Sequence, residues 1–524
     1  LVNMFVALSI LACAAFIYYV YRKQFSYWRT RKVPHPTPIP LLGNYKDYIF
    51  IKKTLYETVS DMCKKFPNEP YFGAVFGTEP TLIVQDPEYI KLVLIKDFSY
   101  FNSREIARYM DHEVVTKGLF FAHGDKWKIV RQNFAPLFSI AKMKSMFYLI
   151  EECTEVLNNT LDKELQSTQT EVTRLMAGFT MDCIGSCVFG VKAEVGNENN
   201  IFRHIGEAIF QNSSFMSFKL IVRSIWPAIF YGLGLKVFPK QITELFSSLL
   251  KTIFKQRQYK DSGRNDFVDL MLSLKQNQYL YGESIADKNG ETRKIKQKVD
   301  DELLYGQSSI FFGGGYETSS STLAHTLFEL AKNTKAQEKV ITEVDNYFKK
   351  NEKLTYECVQ ETPYLSACFN ETMRLYPVLG VLTREVVDDY KFPSGLVLEK
   401  GVRVHIPVFN IHRKPEYFTD PESYRPERFL GEEREKIKPC TYMPYGEGPR
   451  YCIGMRFGIM QMTAGLMTVL RKCRLELAEG MPDKLEFEPR AVVVSQTKGG
   501  VYLKLIPRDT TSWLFILLKK CSIL

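Results

Sequence analysis

Hydrophobic and polar positions divide the chain into an apolar head, a mostly helical body and a strand-rich ending. Residues 1 to 21, LVNMFVALSILACAAFIYYVY, contain no charged side chain. As a helix they would reach about 31 Å at about 1.5 Å per residue, enough to cross a bilayer core, so a transmembrane anchor is predicted over 1–21. The ACA triplet at 12–14 mimics a signal-cleavage site, but the apolar run continues through Phe16 to Tyr21 without a basic n-region, which favours the anchor. Residues 22–44 are expected to link it to the body. Arg22, Lys23, Arg29, Arg31, Lys32 and Lys46 all precede the first acid, Asp47, and the positive-inside rule puts this flank in the cytosol. The prolines of PHPTPIPLLGN, residues 34–44, resist helix and predict a stiff extended arm.

Within the body, residues 71–86 (YFGAVFGTEPTLIVQD) alternate as strands do. Helical periodicity covers 125–134, 175–189, 301–332 and 365–376. Near the end, AVVVSQTKGGVYLKLI (491–506) predicts a hairpin turning at Gly499 and Gly500. The polar stretch 278–298 predicts a mobile connection. There is no internal repeat. The pattern is mainly α with small β-sheets, an α+β body over 45–508, followed by an atypical tail, 509–524.

Composition narrows the function classes. The net charge of +10 over 524 residues is not gathered into Lys/Arg blocks, which argues against nucleic acid as a partner. Eleven cysteines without a Cys-x-x-Cys motif fit a reducing compartment better than a disulfide framework. Cys183 and Cys187, one helical turn apart, read as reduced core thiols.

Cys452, in MPYGEGPRYCIG, stands apart from these. A zinc site needs further ligands at short spacing, yet the nearest cysteines are Cys440 and Cys473. Gly446, Gly448 and Gly454 do not make a G-x-G-x-x-G fingerprint. A buried inert thiol is the default for an isolated cysteine, but two features oppose it: an amphipathic helix begins just after Cys452, and Arg450 lies beside it, and both favour a thiolate. Elsewhere, ETMR sets Glu371 and Arg374 three apart on one helical face, WKIVR sets Trp127 and Arg131 four apart, and GGYETS (314–319) lies inside the longest helical pattern. Read alone, these are a surface ion pair, an Arg stacked on a Trp and a glycine-weakened core helix.

YGEGPRYCIG resembles the F-x-x-G-x-R-x-C-x-G ligand loop of the haem-thiolate monooxygenases, the cytochrome P450 superfamily, with Gly448, Arg450, Cys452 and Gly454 matching and Tyr445 standing for the usual Phe. GGYETS, ETMR, RPERF and WKIVR resemble further motifs of that superfamily in its order along the chain. The wording of FTMDCIGSCVFG and GEGPRYCIGMRFG is most similar to microsomal enzymes of insects, their sixth family, associated with detoxification. The resemblance implies the family's fold and haem b held through Cys452 as axial iron ligand. It implies Trp127, Arg131, Arg384 and Arg450 against the haem propionates, and a buried structural lock of Glu371, Arg374 and Arg428. Gly314 and Gly315 would leave space against the haem and loosen their helix, while Glu317 and Thr318 would relay protons to dioxygen.

Function is implied in the same way: insertion of one oxygen atom of O2 into lipophilic small molecules, whether plant toxins, insecticides, hormones or lipids. Electrons would come from NADPH through a separate flavoprotein reductase, because no flavin domain follows, with cytochrome b5 as a further partner. Lys126 and Lys128 are candidates for steering the reductase. Localisation would be the endoplasmic reticulum membrane, single-pass, with the body on the cytoplasmic side. The apolar segment 215–239, broken by Trp226-Pro227, would be a lid dipping into the membrane surface rather than a second span, since Lys219 and Arg223 lie within it. Two alternatives stay open: a reductase-independent haem-thiolate isomerase or dehydratase, and a hydroxylase dedicated to one endogenous hormone. The terminal CSIL resembles a prenylation box, from which an already anchored protein would gain little.

Overall fold

The computed structural model describes residues 2–508 except 105–106, 192–201, 203–205, 207–212, 239 and 288. The tail 509–524, with CSIL, lies outside the described residues. The first helix, α1 (Val2–Thr30), runs nine residues beyond the expected anchor, so the linker opens as helix and extended backbone begins only after Lys32. The last turn explains the extension. Trp28 is fully buried and its Nε1 donates to the Ala74 carbonyl at 2.7 Å, which repays continued helix with core contact. Tyr27 and Arg31, one turn apart, both bond Glu399.

Two strands, β1 (Tyr71–Phe76) and β2 (Glu79–Val84), form the hairpin expected from their alternation, pairing Tyr71 with Val84. A Cβ on Gly73 would stand 2.3 Å from the Trp28 ring, so glycine there makes the slot that α1 fills. The helical layer begins with α2 (Gly124–Phe134), α3 (Ile140–Glu164) and α4 (Val172–Phe189). The nine cysteines from Cys63 to Cys473 are free, and Cys183 and Cys187 are fully buried on α4. The segment 215–239 is not a membrane span but two short helices, α5 (Ser214–Ile225) and α6 (Pro227–Gly232), broken where Pro227 cannot supply an N–H.

The expected mobile connection is instead a hairpin, β3 (Tyr279–Glu283) with β4 (Lys294–Lys298), Tyr279 opposite Lys298. Its polar composition concealed the alternation of Lys294, Ile295 and Lys296. The hairpin is fastened to α2 by Glu283 N–H donating to Gln132 Oε1 at 3.0 Å and Ile285 N–H to Asp125 Oδ1 at 2.9 Å.

The longest body helix, α7 (Asp301–Lys332), packs along α4 through the largest core cluster and is capped by the Asp300 side chain accepting from Leu303 N–H. Then come α8 (Thr334–Lys350), α9 (Pro363–Leu375), β5 (Leu382–Glu385) and β6 (Arg403–Ile406). The main sheet has the order β1-β2-β6-β5, with β2 and β6 parallel. Finally, α10 (Met455–Lys472) leads directly into β7 (Cys473–Leu477), which pairs with β8 (Tyr502–Pro507). This corrects the C-terminal hairpin: Gly499 and Gly500 do turn the chain, at φ +79° and +82°, but β8 pairs with β7 and with Thr170–Glu171 rather than with 491–498.

Candidate haem-thiolate site

The site is built from the loop entering α10. Gly446 and Gly448 adopt positive φ, and a Cβ on Gly448 would stand 1.9 Å from the Leu94 carbonyl oxygen, so the loop passes there only as glycine. Gly454 is the N-cap of α10, and a Cβ there would be 3.6 Å from Phe138. Cys452 N–H donates to the Tyr445 carbonyl at 2.8 Å. Cys452 is exposed, whereas Cys63, Cys153, Cys183, Cys187, Cys358, Cys368, Cys440 and Cys473 are buried. Burial of its surroundings raises the thiol, while the backbone N–H at Gly454, Arg131 and Arg104 oppose the rise. An open face, a helix N-terminus and cations are the environment a metal-binding thiolate needs. The Tyr445 hydroxyl is buried without a partner, and burial together with Cys452 pushes it upward.

Around the thiol converge more positive charges than the sequence led us to expect. Arg450 stacks over Trp127 at 4.7 Å and donates to the Ala122 carbonyl, while its Nε and Nη1 are buried and unpartnered. Arg384 donates Nη1 to the Thr383 carbonyl at 2.8 Å and leaves Nε unpartnered. Arg131, on α2, stacks over Tyr451 at 4.7 Å rather than over Trp127. Arg104 joins them, 4.1 Å over the Phe120 ring with Nη1 on the Phe120 carbonyl. Burial and mutual repulsion hold Arg450 well below its usual range, Arg384 at about 9 and Arg104 at about 10. Among the described residues no carboxylate pairs with any of the four. Buried guanidinium groups with free N–H atoms call for an anion, and a macrocycle carrying two carboxylates fits both the charge and the donor geometry. Arg104 escaped the sequence reading because no short motif flags it.

Helix α7 packs against α10, where Gln461 Nε2 donates to the Gly315 carbonyl at 2.9 Å, and stays an unbroken helix through its glycines. The two differ. Gly314 fronts open space, with nothing within 4 Å of a Cβ position. Gly315 instead seats α4: a Cβ there would meet Ile184 at 2.3 Å, so its role is helix packing rather than room at the haem. Thr318 Oγ1 donates to the Gly314 carbonyl at 2.5 Å. Glu317 is buried, accepts Gln496 Nε2 at 2.8 Å, and is pushed up to about 7 by burial against the opposing pull of that hydrogen bond.

Glu371, Arg374 and Arg428 come together. Arg374 meets Glu371 twice at 2.8 Å, and Arg428 Nε approaches Glu371 Oε1 at 3.3 Å. Arg374 Nη1 also donates to the His412 carbonyl at 2.9 Å, and His412 Nε2 accepts Met443 N–H at 2.8 Å. Burial holds His412 down at about 3, so the ring stays neutral and keeps that acceptor lone pair. The trio thereby reaches the start of the cysteine loop through His412, a residue no motif singled out.

Of the steering candidates, Lys126 is paired with Asp111 at 2.9 Å and Lys128 is half-buried. On α5, α6 and the turn that follows, Phe215, Phe218, Ile229 and Leu233 are exposed. Arg223 turns inward to Tyr231, whose hydroxyl donates to Glu113 at 3.0 Å.

The sequence matches the family model described as Cytochrome P450 over residues 33–504. Cytochrome P450 6B2 of Helicoverpa armigera is 35% identical over 499 residues, 95% of this chain and 97% of its own. Cytochrome P450 6k1 of Blattella germanica is 32% identical over 506 residues, covering 94% and 95%. Cytochrome P450 6a2 of Drosophila melanogaster is 32% identical over 513 residues, covering 96% and 99%.

Proposed function

The chain belongs to the cytochrome P450 family, and we propose that Cys452 ligates the haem iron of a membrane-bound monooxygenase for lipophilic small molecules. Electrons are taken to arrive from NADPH through a separate flavoprotein reductase, with cytochrome b5 as a second donor, at the cytoplasmic face of the endoplasmic reticulum. Bound haem supplies dioxygen activation and the oxidation of substrate carbon. The remaining work falls to the chain.

Cys452 offers its sulfur at the start of α10, where the helix dipole favours the anion. Arg104, Arg131, Arg384 and Arg450, with Trp127, would hold the two propionates of the haem. Thr318 Oγ1 keeps a hydroxyl at the open face beside Gly314 and hands its proton inward, and Glu317 restores it from water. The exposed apolar tip of α5 and α6 rests on the membrane surface, where lipophilic substrates are concentrated.

The observation that carries this reading is the gathering of four arginines that no carboxylate pairs among the described residues, Arg384 and Arg450 buried and Arg104 and Arg131 half-buried, around the exposed Cys452. Cys452→Ala should abolish the thiolate-type spectrum of the reduced carbon monoxide complex; an unchanged spectrum would overturn the ligand assignment. Screening hormones, plant toxins and insecticides for substrate-induced spectral shifts, with reductase present, would identify the substrate. Product formed without any reductase would instead favour an isomerase or dehydratase.

A further inference from the structure

Glu317 is held from outside its own helix. The loop carrying Gln496 is fastened by backbone on both sides: Ser495 N–H donates to the Val378 carbonyl at 3.1 Å, Glu488 N–H to the Gln496 carbonyl at 2.9 Å, and Lys498 N–H to the Glu486 carbonyl at 2.8 Å. Next to Gln496, Thr497 Oγ1 meets His325 Nε2 of α7 at 2.9 Å. The Gln496 amide is therefore presented to α7 by a braced loop, and its Nε2 reaches Glu317 Oε1 at 2.8 Å. The helix beneath is braced too. Gln461 Nε2 donates to the Gly315 carbonyl at 2.9 Å and Thr180 Oγ1 to the Tyr316 carbonyl at 3.2 Å.

We propose that Gln496 is a positioning residue of the proton relay: its amide binds Glu317 Oε1, leaving Oε2 as the atom that takes up and releases the proton. Among the described residues Oε2 has no hydrogen-bond partner, whereas Oε1 has Gln496. The choice of a neutral donor matters. A lysine at this position would hold the carboxylate ionised, and a leucine would leave burial unopposed and hold it protonated. An amide leaves both forms populated near neutral pH, where Glu317 stands at about 7. The elements packed around it carry ionisable groups, among them Asp182, Cys183 and Cys187 on α4, Arg456 on α10, Tyr316, His325 and Glu329 on α7 and Lys498 in the loop, but only burial and Gln496 contribute to the shift.

This inference rests on the monooxygenase reading, and its test separates the two. In the full-length haem protein, the carboxyl infrared band that disappears in Glu317→Gln is followed against pH in the parent, Gln496→Leu and Gln496→Lys. The midpoint is expected near 7 in the parent, at least one pH unit higher in Gln496→Leu and at least two lower in Gln496→Lys. The reduced carbon monoxide spectrum reports folding, and either variant alone suffices. With reductase and substrate, Gln496→Leu should also give at least threefold less product per NADPH at pH 7.5 while substrate-binding spectral shifts stay unchanged. The loss should vanish in a Glu317→Gln background. A midpoint that stays put in a folded variant overturns the clamp even if the enzyme oxygenates normally. A moved midpoint without loss of coupling overturns the relay role. Absence of NADPH-supported oxygenation in every form, with the midpoint moving, overturns the monooxygenase reading and leaves the clamp standing.

Discussion

Two clusters of buried arginine lie in this molecule, and they are solved in opposite ways. Arg374 and Arg428 share Glu371, and further N–H groups reach carbonyls, those of Arg374 to His412, Pro421 and Ser423 and Arg428 Nη2 to Asp420. Arg450 and Arg384 keep unpartnered N–H atoms and repel each other and Arg104. Desolvating a guanidinium is costly, so the first cluster is a finished structural joint, whereas the second, on the function proposed above, is a receptor whose anion comes from outside the chain. Identical residue types thus carry structure in one place and binding in the other, and the census of partners tells them apart.

The contrast can be broken most severely at Glu371. Glu371→Gln leaves two buried cations without their shared carboxylate and should cost about 3–5 kcal/mol, seen as loss of folded haem protein. Glu317 stands between the clusters as a buried acid with one neutral donor. Its folded value of about 7 lies above its ordinary 4.5, so its contribution to stability is full below 4.5 and is lost as pH rises through 7. Glu317→Gln should therefore flatten the fall in thermal stability across that window, by on the order of 3 kcal/mol. At the receptor the sign reverses: Arg450→Leu should leave the haem-free protein as stable or up to about 2 kcal/mol more stable, while haem is lost at least tenfold faster to an acceptor apoprotein. The smallest effect is expected at the loop itself, where Tyr445→Phe removes an unpartnered hydroxyl and should gain about 1 kcal/mol in denaturant unfolding.

How much of this was legible beforehand depended on whether a feature is local. Helix 301–332 is found where its periodicity placed it, since its pattern and its Asp300 cap are contained in one stretch. The partner of β8 was not legible, because pairing with β7 is decided by where α10 delivers the chain. At the site, motif residues such as Cys452, Arg450, Trp127 and Arg131 could be picked out in sequence, but the stacking of Arg450 on Trp127 could not. Arg104, His412 and Gln496 stayed hidden for the same reason: each acts through contacts with residues distant in the chain and leaves no periodic trace. The two adjacent glycines 314 and 315 looked equivalent until helix packing showed that one faces space and the other Ile184.

The plug formed by Trp28 in the Gly73 slot ties the apolar head and the main sheet into one mechanical piece. A shortened chain that begins just ahead of Phe25 sheds the apolar stretch yet keeps the sheet closed. One that begins at Pro34 uncovers a furrow the width of an indole along β1, so the safe place to cut this protein lies inside a helix rather than at its end.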